Sequence, residues 1–98
     1  MTNESQDISY RTQVALAIRA ARTALGWSQE ELAKRASISK PTIARIEMGG
    51  ISPRVDTLNT LMKVFKAQGV EVDIGDDDVA IRYYKAALLT LQKHLQVK

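Results

Sequence analysis

Between Ser28 and Gly50 the sequence marks out two short helices separated by almost nothing, and no other feature constrains the fold as much. Ser28-Gln29-Glu30-Glu31 has the form of a capping box. The Ser28 hydroxyl accepts from the amide of Glu31, and the Glu31 carboxylate reaches back to the amide of Ser28. The helix opened there runs through Ala36, with Leu32 and Ala33 facing inward, and Trp27 stands where the outer half of a hydrophobic staple belongs. Ser37-Ile38-Ser39 breaks it. Ser39 caps the next helix. Pro41 falls in that helix's first turn, where a missing amide hydrogen costs little. Ile43 and Ile46 form its narrow apolar stripe, and Gly49-Gly50 ends it.

The flanking segments supply partners for this pair. From Thr12 to Leu25, Val14, Ala17, Ile18, Ala21 and Leu25 recur at helical spacing, with Arg11, Arg19 and Arg22 around them. Gly26 is the expected stop. After Gly50, Ser52-Pro53 is expected to start a fourth helix with Val55, Leu58, Leu61, Met62 and Phe65 on its buried side, closed by Gly69. The pattern then changes period. Val70-Glu71-Val72-Asp73-Ile74 alternates as a strand does, Gly75 to Asp78 is turn-like, and Val79 to Tyr83 reads as a return strand because Val79 and Ile81 are β-branched. A rival reading starts a helix at Asp78, since aspartates favour helix N-termini. The last helix is expected from Lys85 to Val97, with Leu88, Leu91 and Leu95 on one side. The expected architecture is mainly α, a bundle of four or five helices with a short β segment and a C-terminal helix. Residues 1–8 are expected to be a disordered tail, 9–69 the main domain, and 70–98 an added β segment plus helix.

Composition narrows the function. The 98 residues contain no cysteine, which excludes disulfides and thiolate zinc sites and fits a reducing cytoplasm. The single histidine, His94, leaves few nucleophile–base pairs, so neither an enzyme nor a metal or cofactor site is expected. The acidic run Asp76 to Asp78 lacks the spaced oxygen ligands of a calcium loop. No apolar run approaches the length of a membrane helix, and the polar, acidic start is wrong for a signal peptide. Net charge is only +3, but residues 1–69 hold ten Lys/Arg against six Asp/Glu, a balance of +4, while residues 70–98 hold four against five, a balance of −1. A polyanion is therefore expected to dock on the first two thirds of the chain.

Two short helices joined by about three residues are what a helix-turn-helix requires. The first, Gln29 to Ala36, would lie across a DNA backbone, and the second, Lys40 to Glu47, would enter the major groove. The stretch Ile18 to Gln68 resembles the lambda-repressor-like (Xre, Cro and phage repressor) family of regulators. The residues that carry the resemblance are Ile18-Arg19, Arg22, Leu25-Gly26, Ser28-Gln29, Glu31-Leu32-Ala33, Ser39, Thr42-Ile43, Ile46-Glu47, Gly49, Pro53, Thr57-Leu58 and Leu61. The resemblance implies a cytoplasmic homodimer that binds a palindromic double-stranded operator and represses or activates nearby genes. It implies phosphate contact by Ser28 and Gln29, with Gln29 also orienting the recognition helix, and DNA contact by Ser39, Lys40, Thr42 and Arg45. Arg45 is placed to take guanine O6 and N7 together. Pro41 and Ala44 offer apolar surface to a thymine methyl, and Arg54 meets the backbone or a minor groove. Arg22 and Glu47 match a structural salt bridge of similar proteins. The family pattern usually has glycine where this chain has Ser37; a serine at positive φ carries a strain that glycine avoids, so the turn is expected either to differ slightly from the family's or to tolerate that cost.

Residues 70–98 exceed what a DNA reader needs. They are expected to form the homodimer contact, through pairing of the Val70, Val72, Ile74 and Ile81 strands or packing of Tyr83, Leu88, Leu91 and Leu95. The alternative is a protein-binding module of the antitoxin type, which holds a small partner (a toxin or an antirepressor) on these residues and autoregulates its operon through DNA.

Overall fold

A computed structural model of the protein describes residues 8–95. The tail expected over residues 1–8 lies, Ile8 apart, outside the described residues, as does the expected end of the last helix beyond Leu95. The first helix, α1, spans Tyr10–Ala24 and is capped by Ser9, whose hydroxyl accepts from the amide of Thr12. α2 (Gln29–Ala36) and α3 (Lys40–Glu47) have the boundaries read from their caps. α4 spans Val55–Ala67, the strands β1 (Val70–Ile74) and β2 (Val79–Tyr83) follow, and α5 (Lys85–Leu95) ends the described chain.

Every apolar position that the sequence assigned to α1 is buried. Val14, Ile18 and Ala21 meet Leu32 and Ala33 of α2, Ile43 and Ile46 of α3, and Leu61 and Phe65 of α4 in one core. Each fully buried Ile, Leu or Phe here contributes about 1.5–3 kcal/mol relative to exposure. The core thus holds two helices that, at eight residues each, are too short to persist alone.

Two local details, the Glu31 side chain and the start of α4, depart from expectation. The Ser28 half of the capping box forms, with its Oγ 3.0 Å from the amide of Glu31. The Glu31 carboxylate, however, turns along its own helix to Arg35 Nε at 2.7 Å. Trp27 stacks across the fold on Phe65 of α4, ring centroids 6.2 Å apart, and carries the guanidinium of Arg35 on its face at 4.2 Å. α4 begins at Val55 rather than at Ser52-Pro53, and Val55 is 73% exposed, not buried. Its position in the first turn, after an N-cap at Arg54 that makes no side-chain capping bond, lifts it clear of the core that Leu61 and Phe65 enter.

The segment after Gly69 folds as the hairpin. β1 and β2 pair antiparallel with Val70 opposite Tyr83 and Ile74 opposite Val79. Val72 and Ile81 face each other and pack against the core, while Ala80 and Arg82 point to solvent. This alternation has the period of a strand and is incompatible with a helix from Asp78. Gly69 joins α4 to β1 with φ +84°, and a Cβ there would stand 2.8 Å from the amide nitrogen of Ala87. Only glycine lets α5 approach this closely. The buried Ala87 and a bond from the amide of Tyr84 to the carbonyl of Gly69 fix the start of α5 at that spot. The rest of α5 leaves Leu88, Leu89 and Leu95 exposed.

Candidate nucleic-acid interface

α3 has two sides of opposite character. Ile43, Ile46 and Glu47 are buried; Lys40, Pro41, Arg45 and Met48 are exposed, with Thr42 and Ala44 half-buried between them. Pro41, Arg45 and Met48 recur at the i, i+4, i+7 spacing of one helical stripe, and Lys40 and Ala44 flank it. Ser39 precedes the helix in extended conformation and its Oγ accepts from the amide of Thr42 at 3.3 Å. The Ser39 and Thr42 hydroxyls also bond each other at 2.8 Å. No acidic residue stands in the first turn of α3. The partial positive charge of its N-terminus therefore adds to that of Lys40 without opposition. Among the described residues, no carboxylate pairs with Lys40, Arg45 or Arg54.

The buried side is held by a network around Glu47. Its carboxylate accepts from Arg22 Nε at 2.7 Å and Nη2 at 2.9 Å. Gln29 Nε2 donates to the same carboxylate at 3.1 Å, so the first residue of α2 is tied to the last of α3. Arg22 Nη1 donates to the carbonyl of Trp27 at 2.8 Å. The carbonyl of Glu47, which ends α3, accepts from Arg19 Nη2 at 2.8 Å. Charge-assisted bonds of this kind are short and directional. They fix the roll and tilt of α3 against α1, which apolar contacts from Ile43 and Ile46 alone leave loosely specified.

Of the nine residues expected at DNA, Ser39, Lys40, Pro41, Thr42, Ala44 and Arg45 lie together on α3 and its cap. Ser28 and Gln29 lie at the start of α2, Ser28 exposed and Gln29 half-buried by its bond to Glu47. Arg54 is exposed at the N-cap of α4. Two residues of the site were given no role in the sequence reading, Arg19, which helps hold α3, and Met48, which is exposed on it. Arg19 belongs with Arg22, three residues apart on one face of α1, and that spacing was the available signal. Met48 continues the exposed stripe of α3, and only its phase on the helix marks it.

The residues expected to make the dimer divide. Val70 is wholly buried in the protomer's own core, and Val72, Ile74 and Ile81 pack against it, so these side chains serve the fold. Tyr83, Leu88, Leu91 and Leu95 line one apolar hollow of about 460 Å³ along α5, with Gln92 at its rim.

Two short helices joined by three residues, the second locked on one side into a helical core and exposed along the other, form the arrangement of the helix-turn-helix class of DNA-binding proteins, with a C-terminal hairpin and helix added. Residues 18–71 match the family described as Helix-turn-helix, and the chain belongs to it, in the lambda-repressor-like group of DNA-binding transcription regulators. It is 34% identical over 71 residues to antitoxin HipB of Escherichia coli (strain K12), a match spanning 72% of this chain and 77% of that one. It is likewise 34% identical over 61 residues to an uncharacterized HTH-type transcriptional regulator of Archaeoglobus fulgidus, spanning 62% of this chain and 87% of that one. The fold is that of the wild-type restriction-modification controller protein C.Esp1396I, with a TM-score of 0.56 at 20% identity over 93% of this chain and 99% of the other. Among the described residues no helix is long and apolar enough to cross a membrane.

Proposed function

We propose that the protein is a homodimeric, sequence-specific transcription repressor that reads a palindromic double-stranded operator with α3. The observation that carries this reading is that Lys40 and Arg45, without a carboxylate partner among the described residues, stand on the exposed side of a helix whose other face is locked by Arg19, Arg22 and Gln29. Interactions that cost so much ordering make sense where a rod must present side chains in one orientation to base edges. Arg45 and Lys40 would contact bases or phosphate, Ser39 and Thr42 the groove edge, and Pro41 and Ala44 a thymine methyl. Ser28 and the free face of the Gln29 amide would meet a phosphate at the start of α2, and Arg54 the backbone further along. The hollow along α5, lined by Tyr83, Leu88, Leu91 and Leu95, is the surface best suited to a second copy. A two-fold dimer would set its recognition helices about 34 Å apart, one turn of DNA. Such a protein works in the cytoplasm, on the nucleoid.

Selection of bound fragments from random duplex DNA tests the reading. A symmetric consensus with half-sites about one turn apart is the expected result. Recovery of no preferred sequence at moderate ionic strength would overturn it.

The identity with antitoxin HipB over most of both chains favours a second role, in which the dimer also holds a small protein partner and regulates its own operon. Purification from the host with a stoichiometric small partner bound supports that role; recovery of the dimer alone counts against it.

A further inference from the structure

Gln13 and Glu47 are the buried polar side chains among the described residues, and only Glu47 is explained by the anchoring of α3. Gln13 sits in the first half of α1, 6% exposed. Its amide nitrogen lies 2.8 Å from the carbonyl oxygen of Gly75, 3.0 Å from that of Asp78 and 3.4 Å from that of Asp76. Three backbone carbonyls of the β1–β2 turn thus converge on one donor, and the turn is itself closed by a 3.0 Å bond from the amide of Gly75 to the carbonyl of Asp78. Elsewhere the hairpin reaches the core through apolar side chains such as Val72 and Ile81. Apolar burial is non-directional and permits sliding, whereas hydrogen bonds specify distance and angle. Gln13 therefore ties the turn end of the hairpin to α1, while Gly69 and Tyr84 hold its other end.

The same helix grips α3 nine residues further on through Arg22, about 13 Å along its axis at 1.5 Å per residue. α1 is a rigid spacer with the hairpin latched near one end and the recognition helix latched near the other. We propose that Gln13 is a positioning residue for operator recognition: with α5 anchored at Gly69, the grip of Gln13 on the far end of the hairpin fixes the angle that hairpin and α5 make with α1, and so sets the half-site spacing that the dimer accepts. This rests on the reading of residues 70–98 as the dimer contact. Relative motion of the hairpin on α1 becomes a shift between the two recognition helices, while each helix keeps its own contacts within a half-site.

The experiment uses the full chain and compares the wild type with Q13M and Q13N. Q13M keeps the length of the side chain without its donors, and Q13N withdraws the amide by one methylene. Each protein is titrated onto the selected symmetric duplex, an isolated half-site, and duplexes with one central base pair inserted or removed. Such a change moves one half-site by about 3.4 Å and turns it by about 34°. The wild type is expected to lose about tenfold or more on the altered spacers, comparable to a mismatched base pair. Q13M and Q13N are expected to lose about threefold or less while binding the isolated half-site within about twofold of wild type. A purely local stabilising role would lower half-site and full-site affinity together and leave the spacer ratio unchanged, and that result in folded variants overturns the proposal. If circular dichroism shows that Q13M does not fold, Q13N alone decides. A wild type indifferent to spacing would instead overturn the dimer reading on which the proposal stands.

Discussion

Arg22 of α1 and Glu47 of α3 face each other in a two-pronged ion pair, Nε to Oε2 at 2.7 Å and Nη2 to Oε1 at 2.9 Å, with the Glu47 side chain only 3% exposed and that of Arg22 14%. Removing the guanidinium strands a carboxylate in the core and also orphans the carbonyl of Trp27. R22A is expected to lose about 3–5 kcal/mol of folding stability in urea denaturation, and DNA binding with it. Replacing both partners by apolar residues, R22M with E47L, is expected to recover much of that stability without restoring DNA binding, because the roll of α3 is no longer specified.

Ser37, between α2 and α3, holds φ 56° and ψ 44°. A left-handed conformation costs an L-residue about 1–2 kcal/mol, and part of the relief given by glycine is offset by its freer unfolded chain. S37G is therefore expected to gain about 0.5–1 kcal/mol, seen as a higher denaturant midpoint at unchanged slope. A loss of stability would show that the serine side chain contributes more than its backbone strain costs.

Gly69 meets both demands that exclude a side chain, positive φ and contact with the backbone of Ala87. G69A is expected to cost about 1–2 kcal/mol from the backbone alone, with a further loss as α5 is pushed off. The substitution should free α5 while α1 to α4 keep their core. Hydrogen exchange should then rise along Lys85–Leu95 more than along Leu32–Ala36.

Lys40 and Arg45 are expected to fail in different ways. R45A should lose about 1–3 kcal/mol of discrimination at one base pair of each half-site, with binding to scrambled duplex little changed. K40A should lower affinity on all sequences and reduce the salt slope by about one unit. Equal loss on scrambled DNA for R45A would move Arg45 to the phosphates, and an unchanged slope for K40A would remove Lys40 from them.

Leu88 and Leu95 are 51% and 72% exposed on α5, so a charge at either costs the folded protomer little. L88E with L95E is expected to leave the melting curve of the protomer core in place while sedimentation shows monomer, and affinity for the full operator should fall toward that of a half-site. A dimer that survives both substitutions would place the contact elsewhere.

Much of this was legible because the signals were local. Ser28 and Ser39 mark the starts of α2 and α3, and those caps hold in the structure. The alternation of Val70 to Ile74 and the β-branched Val79 and Ile81 outweighed the aspartates that argued for a helix. The errors have a common origin. Val55 has helical phase with Leu58 and Leu61, but phase does not say where the core stops, and the first turn of α4 lies beyond it. Trp27 likewise reads as a residue beside a helix cap, and nothing in the local pattern says that it stacks on Phe65 of α4.

The amino-acid order by itself determined the elements and the face that each buries, since capping, turn chemistry and hydrophobic period act within a few residues. The resemblance pointed to the Arg22–Glu47 pair, but the tertiary structure alone decided the other long-range polar bonds. Arg19 meets the end of α3 and Gln13 meets the hairpin turn, across 28 and 62 residues of chain. Such bonds depend on directions in space, which exist only once the core has brought distant segments together. No periodicity along the chain encodes them.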